Sequence, residues 1–142
     1  MKKASKFLST FFVFSVIVLS ACTSGERAPT SPTGEWILVS YGDASKPTPA
    51  LPTVETSIHF NEGGKFGGSV GCNSFRSGYK VVKSQITFGS IISTKMFCEG
   101  ISEQESAVLA ILTDKTVNFT VNGDELTFTS ADGASVIVLA RK

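Results

Sequence analysis

Between Val117 and Phe128 the large apolar residues fall on alternate positions. Val117, Phe119 and Val121 are separated by Asn118 and Thr120, and Leu126 and Phe128 follow beyond Asn122-Gly123. A period of two belongs to an extended strand with one buried face, and Asn-Gly tolerates the positive φ of a tight hairpin turn. Asp132-Gly133 turns the chain again into Ser135 to Leu139. The same signals recur upstream. Glu35 to Tyr41 is rich in β-favouring residues and stops at Gly42-Asp43. Thr56 to Phe60 places Ile58 and Phe60 on one face, Ser57 and His59 on the other, and Asn61-Glu62-Gly63-Gly64 returns the chain along Lys65 to Val70. Tyr79 to Val82 and Gln85 to Phe88 form a further pair around Lys83-Ser84. Lys46 to Pro52 holds three prolines and is a connecting loop. One helix is expected, from Ser102, whose spacing to Glu105 is that of a capping box. Val108, Leu109, Ile111 and Leu112 share its apolar face, with Glu103, Glu105 and Asp114 outside. The fold class is therefore mainly β (α+β): an antiparallel, barrel-like domain with one helix inserted between strands, covering an open side of the sheet.

The first 33 residues stand apart. Lys2, Lys3 and Lys6 precede an apolar stretch from Phe7 to Leu19, interrupted by Ser9, Thr10 and Ser15. That stretch is shorter than the roughly 20 apolar residues of a spanning helix and matches an export signal. Leu19-Ser20-Ala21-Cys22 resembles the lipobox of bacterial lipoproteins. The resemblance implies a signal peptide over residues 1–21 and acyl chains, palmitate among them, on Cys22. Each buried CH₂ contributes about 0.8 kcal/mol, so two or more chains anchor stably. The expected location is the cell envelope, lipid-anchored; in a Gram-negative host Thr23 resembles a sorting signal for the outer membrane, facing the periplasm. Residues 22–33, Ser-, Thr- and Pro-rich after the cysteine, read as a flexible tether, leaving 34–142 as one domain.

Losing Lys2, Lys3 and Lys6 takes thirteen basic residues to ten, against twelve acidic. That near-balance argues against a nucleic-acid or polybasic membrane surface. Cys72 and Cys98 are an even pair in an exported domain, the setting in which disulfides persist. Two free buried thiols remain the main alternative. A metal site has little support, since His59 is the only histidine, and a nucleophilic thiol lacks a nearby base.

Gly71-Cys72-Asn73-Ser74-Phe75, with Tyr79 beyond it, resembles the G-C-N-x-[FY] segment of the META domain of HslJ-type envelope proteins. Thr94-Lys95-Met96-Phe97-Cys98 is similar to the family's T-[RK]-M-x-C element, and Glu105 falls where the family keeps a helical glutamate. The glycine after Ser77 stands one position later than in many members. The resemblance spans nearly all of 34–139. It implies a Cys72–Cys98 disulfide and a cracked β-barrel akin to a lipid-anchored pilot protein of type III secretion. It also carries heat-shock and stress-response associations, without a reaction.

Read from the residues alone, Asn73 is a turn-former serving local backbone groups, and Met96 and Phe97 belong in the core. Gly67, Gly68 and Gly71 suit close backbone approach. Gly64-Lys65 is followed by Phe66, not the hydroxyl residue of a phosphate loop. Glu103 and Glu105 stand two apart on a helix and do not face each other, and no C-x-x-C motif is present. The expectation is a non-enzymatic binding or stabilising module, with no catalytic residue, metal or cofactor. A carrier of a small apolar ligand such as an acyl chain, or an inhibitor, is the alternative, and a hydrolase or thiol-redox enzyme ranks behind both. Expected partners are the membrane, through the lipid on Cys22, and an envelope protein or small apolar ligand; no nucleic acid is expected, and the chain is expected to be a monomer.

Overall fold

The computed structural model describes residues 31–142. The expected leader 1–21, Cys22 and most of the expected tether 22–33 lie outside the described residues. The chain forms β1 (Gly34–Asp43), β2 (Thr48–Pro49), β3 (Ser57–Phe60), β4 (Lys65–Ser69), β5 (Ser74–Val82), β6 (Gln85–Phe88), β7 (Ile92–Ser93), α1 (Ser102–Leu112), β8 (Thr116–Asn122), β9 (Glu125–Ser130) and β10 (Ser135–Arg141). Eight strands close a ring in the order β10-β9-β8-β6-β5-β4-β3-β1, and β1 pairs back with β10, every neighbour antiparallel. Closure leaves no long edge in the ring.

The seam is thinnest along one flank of β1. There β3 pairs only from Gly34 to Trp36, and the short β2 takes over at Ser40 and Tyr41. Between them side chain and loop patch the wall. The Leu38 N–H donates to Thr56 Oγ1 at 2.9 Å, and the Ala50 N–H donates to the Val39 carbonyl at 2.9 Å. The prolines of residues 46–52 fit here because β2 needs to pair on one side only.

Alternation along the strands sends one set of side chains inward, and aromatics dominate it. Phe60 and Phe66 stack at 5.2 Å, Phe66 and Phe88 lie at 4.7 Å, and Phe88 meets Phe128 edge-on at 5.7 Å. Such rings each contribute about 1.5–3 kcal/mol by burial, and favourable pairs add to that. Trp36 is fully buried; its Nε1 donates to the Pro32 carbonyl at 2.8 Å, and Arg141 lies 4.3 Å over its ring. The interior is thus lined by apolar side chains, with phenylalanines at its centre.

Helix α1 packs against β1 and β10, with Val108 and Leu112 buried and Leu109 and Ile111 partly so. Its start differs from the expected capping box. Ile101 is the cap residue and makes no side-chain capping bond, while Ser102 Oγ donates to the Cys98 carbonyl at 3.0 Å. Glu105 is drawn to another partner, described below, and does not serve the cap. Strand β5 also begins at Ser74, five residues before the expected Tyr79. Arg76, Ser77 and Gly78 give weak β-propensity, but two neighbours pair along this segment and fix it as strand.

Gly68 makes the β3–β4 contact possible. Its φ is +146°, and a Cβ there would sit 1.8 Å from the Ser57 carbonyl oxygen. Gly68→Ala is therefore expected to lower stability by about 3 kcal/mol or more. Gly100→Ala, at φ +75° with nothing within 4 Å of the added methyl, should cost only about 1–2 kcal/mol. Urea midpoints of the two variants check this; equal shifts would contradict the steric account.

Candidate functional site

The motif-bearing segments meet at one end of the barrel. The β4–β5 turn supplies Gly71, Cys72 and Asn73, the β7–α1 connector supplies Thr94 to Cys98, and the first turn of α1 supplies Gln104 and Glu105. Cys72 and Cys98 are disulfide-bonded, their Cα atoms 5.9 Å apart across a sequence separation of 26. Closing a loop of that length is worth about 3.5 kcal/mol by the chain-entropy model.

Asn73 is the hub, not a local turn-former. An asparagine side chain has two N–H donors and two acceptor lone pairs, and here all four are used. Nδ2 donates to Glu105 Oε1 at 2.8 Å and to the Met96 carbonyl at 3.0 Å. Oδ1 accepts from the Met96 N–H at 2.7 Å and from the Thr94 hydroxyl at 2.8 Å. The Asn73 backbone N–H donates to Glu105 Oε2 at 2.6 Å, so both carboxylate oxygens are engaged. Thr94 Oγ1 also accepts from the Ser74 N–H at 3.3 Å. The connector carries little regular hydrogen bonding of its own, and one side chain supplies what a strand would have given it.

Glu105, expected outside, is buried. A charged group can be buried when donors surround it, and such charge-assisted bonds are the strong ones. Gly71 admits it, since a Cβ at that position would lie 2.8 Å from Glu105 Cβ and 3.0 Å from Oε2. Gln104 is buried beside it. Its Nε2 donates to the Val70 carbonyl at 2.6 Å, and its Oε1 accepts from the Leu51 N–H at 2.7 Å. Nothing in the sequence marks Gln104 as a site residue except its position. It stands four residues before Val108 and eight before Leu112, on the buried face.

The remaining motif residues divide. Phe75 points into the core, 5.3 Å from Phe66. Tyr79 is half-buried edge-on against Phe60 and donates from its hydroxyl to the Asn61 carbonyl at 2.7 Å. Met96 and Phe97, expected in the core, are 60 % and 86 % exposed. The reason is the hub: both backbone polar groups of Met96 face Asn73, which turns its side chain away from the barrel, and the disulfide then claims Cys98. Among the described residues no buried side-chain nitrogen or oxygen lacks a partner, and no three His, Cys, Asp or Glu gather as a metal-holding group. What this arrangement does chemically is hold three segments together.

Two substitutions measure that. Glu105→Ala strands the Asn73 backbone N–H and one of its two amide hydrogens and should cost about 3 kcal/mol, whereas Glu103→Ala, on the exposed side, should stay within about 0.5 kcal/mol. Replacing Cys72 and Cys98 by Ser should cost about 3 kcal/mol, and reductant should shift wild type equally. Urea denaturation reads both. An unchanged midpoint for Glu105→Ala would remove the hub from the account.

A sequence profile of the META domain matches residues 30–142. A search of curated proteins finds no significant match. Among solved structures the chain is similar to one described as "NMR structure of the protein from Burkholderia xenovorans", with a TM-score of 0.63 and 18 % identity, covering 77 % of this chain and 81 % of that one. A second NMR structure matches with a TM-score of 0.56 and 20 % identity over 74 % and 86 % of the two chains. At such identities these likenesses speak for the barrel alone. The profile covers the barrel, the disulfide and the Asn73 hub together, and this chain belongs to the META domain family.

Proposed function

We propose that this protein is a lipid-anchored, non-enzymatic module of the cell envelope that binds or stabilises an envelope component under stress. The observation that carries the reading is how the motif residues are engaged. Asn73, Thr94 and Glu105 are committed to one another and to the Met96 backbone, so the polar chemistry a catalytic site would need free is used in bracing. A disulfide beside that hub suits a domain working outside the reducing cytoplasm. Leu19-Ser20-Ala21-Cys22 supplies the anchor, at the inner leaflet of the outer membrane if the host is Gram-negative. The acyl-carrier alternative has no support from the barrel interior, which aromatic side chains fill.

Labelled palmitate fed to the producing cells tests the anchor. The wild-type chain should carry label and be cleaved before Cys22, and Cys22→Ser should carry none. An unlabelled wild-type protein, recovered free of membranes, would contradict the reading.

A further inference from the structure

We propose that the wall of the barrel formed by β4, β5, β6 and β7 lies against an anionic phospholipid bilayer, its apolar side chains inserted and its cations at the headgroups. The membrane rests on the anchor reading above. The surface itself is read from charge and exposure.

Near-balance in the whole chain conceals a segregation. Residues 63–98, which build this wall, carry Lys65, Arg76, Lys80, Lys83 and Lys95 and no aspartate or glutamate. The other described residues carry four cations against eleven carboxylates. The five wall cations are exposed, and along β5 Arg76 and Lys80 alternate with inward Phe75 and half-buried Tyr79, so they point outward. Lys65 pairs opposite Gly78, between those two positions, and a groove of about 550 Å³ is lined by Lys65, Arg76 and Ile92 among others. The acids next in sequence, Glu62 and Glu99, fall beyond β4 and β7, one at each end of the barrel. One acid from elsewhere in the chain reaches the wall: Asp114 Oδ1 accepts from the Ser90 hydroxyl at 2.8 Å at the β6–β7 edge, so the wall as a whole stays cationic, five charges against one.

Apolar exposure follows the same wall. Val82 is 66 % exposed and Ile92 62 % exposed, and with Met96 and Phe97 they are the most exposed large apolar side chains among the described residues. Val82 sits at the β5–β6 tip, Ile92 opposite Arg76, and Met96-Phe97 beyond β7 at the far end, so the set runs the length of the wall. Basic and apolar residues sharing one exposed face are the composition of an interfacial membrane surface. Phe97 is also held ready: Asn73 grips the Met96 backbone on one side and the disulfide grips Cys98 on the other, so little ordering remains to be done on insertion.

The anchor can reach. Trp36 fastens Pro32 to the barrel, leaving the ten residues from Cys22 to Pro32, which span at most about 35 Å. β1, where that chain enters, stands three strands from β5 around the ring, roughly 15 Å at strand spacing. The β5–β6 tip lies at the end of the barrel where β1 begins, so the domain lies on its side within reach of its lipid. Tethering at that range makes even weak insertion effective.

The test uses the mature protein carrying Phe97→Trp, with vesicles of phosphatidylcholine alone or mixed in equal parts with phosphatidylglycerol, and brominated lipid as a depth probe. Trp36, fully buried, is the only native tryptophan and serves as the fold control. Bromine should quench the introduced indole in the anionic vesicles, and Arg76→Glu with Lys80→Glu should abolish the quenching, since each cation lost weakens attraction about fivefold. An unquenched indole at position 97 in anionic vesicles, with Trp36 emission native, overturns the proposal. Flotation with neutral vesicles reports the lipid anchor separately. Protein that floats only with anionic vesicles and shows quenching would sink the anchor and keep the surface.

Discussion

The contact between Asn73 and Glu105 governs this barrel end. A carboxylate is costly to bury, and this one is accommodated because a backbone N–H and a side-chain amide of the same residue point at its two oxygens. Asn73 then has one amide hydrogen and a carbonyl oxygen left, and both go to the connector ahead of the helix. The β4–β5 turn is thereby joined to the connector and helix start more than 20 residues further along the chain. The disulfide acts on the same pair of segments by a different route, limiting the unfolded chain, whereas the hydrogen bonds fix the folded one. Remove the carboxylate and the amide loses its orientation; remove the asparagine and a charge is left buried.

That coupling explains which motif residues are interior and which are display. Asn73 and Glu105 turn inward because their bonding is mutual, Thr94 stays exposed while its hydroxyl donates to Asn73, and Gly71 is small because Glu105 occupies the place of a side chain. Met96 and Phe97 turn outward because the backbone between them and the barrel is already engaged. The result is an apolar tip on a braced loop, at one end of a wall that is basic throughout. Apart from Asp114, bonded to Ser90 at the edge of the wall, acidic residues fall on the rest of the barrel, so a chain with almost no net charge presents a polarised surface. Polarisation of this kind orients a molecule near a charged surface, which bulk charge alone does not reveal.

Much of the barrel could be read from periodicity. The hairpins around Asn122-Gly123 and Asn61 to Gly64 announced themselves because strand alternation and turn residues agree. The first half of β5 did not, because Ser74 to Gly78 has a strand conformation imposed by its neighbours and little propensity of its own. Ring closure through β1 and β10 pairs the two ends of the domain, and no local pattern encodes so distant a register. In the hub, Cys72 and Cys98 were legible from compartment and from family likeness. Family likeness also singled out Glu105, but its burial was not legible: charge and helix position both favoured solvent or a capping box, and a partner 32 residues away prevailed. Asn73 was likewise named by the family segment while its role was misread, since local turn chemistry is a common role for asparagine and its long-range one is specific to this packing. Met96 and Phe97 were misplaced because hydrophobicity says what a side chain prefers, not which way an engaged backbone points it.

Amide hydrogen exchange at Met96 tests the hub most directly. Its N–H lies outside regular secondary structure and donates to the Asn73 side chain. The account predicts protection comparable to the flanking strands, lost in Asn73→Ala while the far-side β8–β9 amides remain slow. Exchange of Met96 at the unprotected rate in the oxidised wild-type protein would mean that the connector is not held, and the structural basis for a displayed Phe97 would go with it.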